Sequence, residues 1–110
     1  MAQMPKDDAS KEKLRMLLFQ LSELLKDPPI VINYYDWRET IEDLMDEIEE
    51  LSPSVRERLN DLVVEALRRV HTHVEDLDND ALPTQTERSA HAYYAQVAFV
   101  ISEINDLKSY

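Results

Sequence analysis

Four stretches of the chain carry apolar residues at helical spacing, separated by short polar or proline-bearing breaks. The first covers about 7–26, where Leu14, Leu17, Leu18, Leu21, Leu24 and Leu25 form one stripe. Met16 and Phe19 fall off it, and either widen the buried face or touch a second molecule. Asp7 and Asp8 are the expected N-caps, since a carboxylate there accepts N–H groups that the first turn leaves unpaired. Residues 1–6 are expected to be a disordered tail. Asp27-Pro28-Pro29 ends the helix, because a residue before proline is pushed out of the α region.

Ile30 to Tyr35, IVINYY, reads alone as a short strand, but no second strand is available to pair with it. The expectation is an extended crossover laid on the bundle, with Ile30, Ile32 and Tyr34, or their alternates, facing inward. The second helix covers about 37–51, and Asp36 followed by Glu39 predicts a capping box at its start. Trp37, Ile41, Leu44, Met45, Ile48 and Leu51 make its stripe. The other face carries Glu39, Glu42, Asp43, Asp46, Glu47, Glu49 and Glu50 against a single Arg38. Glu49 and Glu50 sit where the helix dipole disfavours anions by a few tenths of a kcal/mol each. Either that charge is wanted there or nearby basic residues compensate for it.

Ser52-Pro53 supplies a cap and a first helical residue, so the third helix covers about 53–77. Val55, Leu59, Leu62, Val63, Ala66, Val70, Val74 and Leu77 point inward. A turn centred on Ser52 places residues opposite one another when their numbers sum to about 105. Ile48 then meets Leu59, Ile41 meets Val63 and Ala66, and Trp37 meets Val70. All these pairs are apolar, as an antiparallel helical hairpin requires. Thr84 with Glu87 predicts a second capping box, opening a fourth helix over about 84–108. Its apolar residues cover more than half its circumference, and Ala95 and Phe99 extend them. Such a helix is central or shared with another chain; with only four helices, a homodimer through helices 4 and 1 is the expectation. The fold class is all-α: one helical domain, an antiparallel four-helix bundle with an extended crossover between helices 1 and 2.

Composition narrows the function classes. Among 110 residues there is no glycine, which removes Gly-rich phosphate loops, and no cysteine, which removes thiol nucleophiles and Cys-held metals. The polar N-terminus, with no apolar run, is not expected to act as a secretory signal. The longest uncharged run, Ser89 to Ser102, falls short of the roughly 20 residues that span a bilayer. A cytoplasmic location is expected. The net charge of −11 repels phosphate backbones and anionic lipid, so no direct nucleic acid and no membrane are expected as partners.

Candidate chemistry is thin. His71 and His73 point to different sides of a helix and cannot share an ion. His71–Glu75 and Glu87–His91 are spaced to chelate weakly, but match no HExxH or ExxH motif. Glu47-Ile48-Glu49-Glu50 and Glu75-Asp76-Leu77-Asp78 look like the ExxE and ExxD pattern of all-α nucleoside-triphosphate pyrophosphatases of the MazG type. The hairpin opposes that reading, because Glu50 and Glu75 lie about 33 Å apart along the third helix. The register would instead bring Glu39, Glu42, Asp61 and Glu65 level. No cofactor motif is present, and no cofactor is expected. The preferred reading is a non-catalytic protein–protein interaction module for a basic protein partner: an adaptor, an inhibitor or immunity protein, or a chaperone. Its expected surface is Glu39, Glu42, Asp43, Asp46, Glu49 and Glu50, with Tyr34 and Tyr35 as aromatic anchors. The alternative is a metal-dependent all-α nucleotide pyrophosphohydrolase.

Overall fold

A computed structural model of the protein describes residues 7–108, so the tail expected over residues 1–6 lies outside the described residues. Four helices are present: α1 (Asp8–Lys26), α2 (Tyr34–Leu51), α3 (Pro53–Asp78) and α4 (Pro83–Lys108). Each packs on its two neighbours in a closed ring, α1–α2–α3–α4–α1, with α3 and α4 in the most extensive contact. The result is the all-α four-helix bundle that the apolar stripes predict, measuring 50 × 23 × 17 Å. Its core takes the leucine stripe of α1, Ile41 and Ile48 of α2, Leu59 and Val70 of α3, and Val100 and Ile104 of α4.

Helix boundaries follow local chemistry. The Asp7 carboxylate accepts from Ser10 N at 3.0 Å, as an N-cap should. The Ser52 hydroxyl accepts from Val55 N at the start of α3, with Pro53 behind it at the first helical position. Two expected capping boxes do not form. Helix α2 begins at Tyr34, so Asp36 lies inside its first turn rather than capping it. The cap position belongs to Asn33, whose side chain instead accepts from Ile30 N at 2.8 Å and closes the preceding turn. At α4, proline fits the first helical position, so the helix starts at Pro83 and the Leu82 carbonyl accepts from Gln85 and Thr86. Thr84 therefore lies within the helix.

The turn from α3 to α4 needs one residue in the left-handed region. With no glycine in the chain, Asp80 takes it, at φ 51°. Ala81 N then bonds Asp76 O, which satisfies a carbonyl at the end of α3 in Schellman fashion.

The segment between α1 and α2 departs most from expectation. Residues 31–33 form a turn, and Ile30, Val31, Ile32 and Tyr35 all face outward, with Ile32 90% exposed. Tyr34 alone turns inward, because it has become the first residue of α2. Helices α1 and α2 are also shorter than α3 and α4, at 19 and 18 residues against 26 and 26. The α3–α4 hairpin consequently projects past the connector, which leaves Leu77 on the inward stripe partly uncovered.

Aromatic donors lock the end of α1. Its last carbonyls lack the N–H groups of a following turn, apart from Asp27 N, which donates to Leu24 O at 3.2 Å. Trp37 Nε1 donates to Leu24 O at 3.0 Å, and the Tyr93 hydroxyl donates to Leu25 O at 2.5 Å. The two rings meet edge to face, 6.4 Å between centroids. Three helices are thus tied at one point, and burial pushes the Tyr93 hydroxyl far above its ordinary pKa.

Candidate functional site

The residues expected to form the binding surface all fall on α2, but they do not form one face. A helix turns by about 100° per residue. Glu42, Asp46 and Glu49 therefore flank the seam with α3, whereas Glu39, Asp43 and Glu50 point straight outward. All six carboxylates are exposed. Glu42 is bridged by Arg38 of the same helix at 3.2 Å, and Asp46 by Arg56 of α3 at 3.2 Å. Among the described residues, Glu39, Asp43, Glu49 and Glu50 have no ion-pair partner, and the last turn of α2 has no basic residue. The charges that oppose the helix dipole are thus not compensated within their own helix.

The tyrosine pair divides. Tyr34 is 3% exposed; its hydroxyl accepts from Arg38, and its ring lies 5.8 Å from that of His71. It plugs the bundle end, with its ring turned into the core rather than onto the surface. Tyr35 is 79% exposed and remains available. The Tyr34–His71 contact also confirms the hairpin register, since these numbers sum to the predicted value.

The sequence reading missed a cavity of about 610 Å³ between α2 and α3. Its floor is apolar: Ile41 and Met45 from α2, and Val63, Val64 and Leu67 from α3. Its rim carries Arg38, Arg56, Arg68 and His71 with Glu42 and Asp46. It stays open because most long side chains on its rim pair along their own helix rather than across the seam. Arg38 goes to Glu42, Arg68 to Glu65 and His71 to Glu75. Only Arg56–Asp46 crosses among the ion pairs described. The exposure of Val64, 55%, is the signal of this gap, and its position next to the stripe residue Val63 is what sequence could have offered.

Smaller hollows continue the cavity at both ends. Arg56 and Asn60 are shared with a cleft that adds Glu49, Glu57 and Asp61. His71 is shared with a hollow that adds Val31, Tyr35, Val74, Glu75 and Asp78. The three hollows thus lie in series along α3, between Pro53 and Asp78, and together make a furrow.

Metal chemistry finds no cluster. Among the described residues, no group of three or more His, Asp or Glu is placed to hold an ion. Of the level set Glu39, Glu42, Asp61 and Glu65, Glu42 is taken by Arg38 and Glu65 by both Arg68 and Arg69. Hydrogen bonds from those two guanidiniums lower the Glu65 pKa to about 2. His71 meets Glu75 at 2.8 Å as spaced, while His73 turns to Ser89 of α4 at 3.0 Å. Glu50 and Glu75 lie at opposite ends of the bundle, since one adjoins the Ser52 turn and the other the end of α3.

The class that this geometry defines is an acidic antiparallel four-helix bundle with an open furrow on one side. Comparison with protein-family models, with curated proteins and with solved structures finds no match to this chain. Among the described residues, no helix is long and apolar enough to cross a membrane.

Proposed function

We propose that the chain is a cytoplasmic, non-catalytic protein-binding module that docks a basic protein through the acidic side of α2, as an adaptor, inhibitor or chaperone. One observation carries this reading: Glu39, Asp43, Glu49 and Glu50 stand exposed without ion-pair partners among the described residues, beside a furrow with an apolar floor. Unpaired surface carboxylates steer cationic partners over a range set by ionic strength. The exposed Val64 on that floor adds apolar area for a partner to cover, which charge alone does not supply. Glu49 and Glu50 also weaken their own helix slightly, a cost that a cationic partner would offset.

The test reverses the three unpaired charges that point straight outward. The triple variant Glu39→Lys, Asp43→Lys, Glu50→Lys should keep its helical circular dichroism and its Tm. Wild-type bait should capture basic proteins in a salt-sensitive manner, and the variant should lose them by quantitative mass spectrometry. Unchanged capture by the variant would show that this acidic side is only solvated surface.

A further inference from the structure

The geometry points to the form of the partner: the furrow between α2 and α3 receives an amphipathic α-helix with an apolar stripe at its middle and cationic residues at both ends. This rests on the protein-binding reading above and makes it specific. Three features of the furrow lead there.

The first is the distribution of polarity. Apolar residues lie in the middle, where the exposed Val64 stands over the buried Ile41, Met45, Val63 and Leu67. Carboxylates lie at both ends: Glu49, Glu57 and Asp61 beside the Ser52 turn, and Glu75 and Asp78 beside the connector. The three arginines of the rim are held by Glu42, Asp46 and Glu65, so the charge left over is negative.

The second is backbone chemistry. Both walls are helices, whose interior N–H and C=O groups are used within the helix. An extended segment on this floor would bury backbone groups with nothing to bond them, which is unfavourable. A helix arrives with those bonds already made, which is the helix-in-groove mode of recognition.

The third is length. From Pro53 to Asp78 the furrow follows α3 for about 38 Å, at 1.5 Å per residue. An occupant of about 18 residues, some 27 Å as a helix, spans the apolar centre and reaches the acids at either end. A second copy of this chain fits poorly, because its own acidic α2 would face acids. An anionic membrane is repelled for the same reason.

The experiment uses a fluorescein-labelled peptide of about 18 residues, with leucines at i, i+3, i+4, i+7 spacing and lysines at both ends. Its comparator is a scrambled peptide of identical composition. Fluorescence anisotropy should show the patterned peptide binding the full chain at least about tenfold tighter than the scrambled one, and circular dichroism should show it becoming helical. Val64→Glu places a charge on the floor at a half-exposed position, so the bundle should still fold, and the tenfold preference should vanish. Phe99→Glu on α4 should leave binding unchanged. Two results overturn the helix proposal. In one, both peptides bind equally and Val64→Glu has no effect while the triple charge reversal abolishes binding; the acidic module then stands without its furrow. In the other, the patterned peptide fails to bind the wild type; the bait capture described above then decides the broader reading by itself.

Discussion

The two seams of α3 both carry charged residues and behave oppositely. On the α4 side, polar groups bond across the interface. Arg69 donates to Ala92 O at 2.8 Å, Gln96 Nε2 to Leu62 O at 3.0 Å, and Arg58 pairs with Glu103. His73 meets Ser89. Small residues such as Ala92 and Ser89 let the two helices approach closely. On the α2 side, the charged residues are long, and most bond back along their own helix, so the outer half of the seam stays open over Val64. The presence of charged residues does not by itself keep a helical seam open. Whether the side chains find partners across it or along it decides that.

The comparison can be broken in several places. Trp37 is where the open side is anchored to the rest of the bundle, through its ring against Tyr93 and its bond to α1. Trp37→Ala should have the largest effect, about 3–5 kcal/mol in chemical denaturation. A loss under about 1 kcal/mol would mean that the indole is not the anchor.

The two seams can then be weighed directly. Gln96→Ala on the closed seam removes a buried bond and should cost about 1–3 kcal/mol. A double-mutant cycle on Arg56 and Asp46, the crossing pair of the open seam, should return only about 0–1 kcal/mol, because Asp46 is well exposed. Equal values would erase the distinction between the seams.

The smallest effect is one of pH. Glu65 orients Arg69 towards α4 while Arg68 holds it from the other side. Its pKa is lowered from 4.5 to about 2 in the fold, so the unfolded chain takes up that proton first as pH falls. Its contribution is complete above about pH 4.5 and is lost as pH falls towards 2. Glu65→Gln should therefore differ from wild type in stability above about pH 4.5, and the difference should shrink towards pH 2. A difference constant with pH would remove Glu65 from the account.

Sequence reasoning found the four helices, the Ser52-Pro53 turn and the register of α2 on α3, because each rests on spacing or on a cap within a few residues. It misplaced the start of α2 and the inward set of the connector. Asp36 and Glu39 satisfy a capping pattern equally well from inside the first turn, and a short apolar run such as IVINYY does not reveal that the helices it joins end too early to cover it. The site was half legible. The acids of α2 were visible as a run of charge, but which of them are spent on Arg38 and Arg56 depends on rotamers and on the neighbouring helix.

What the order of residues settled by itself is local: helix periods, their caps and breaks, and the facing of apolar stripes. What only the packed bundle decided is which side chains pair across a seam and which pair along it. That choice depends on interhelical spacing, which is a property of the whole ring of helices and of no single segment. It left α3 sealed against α4 and open beside α2.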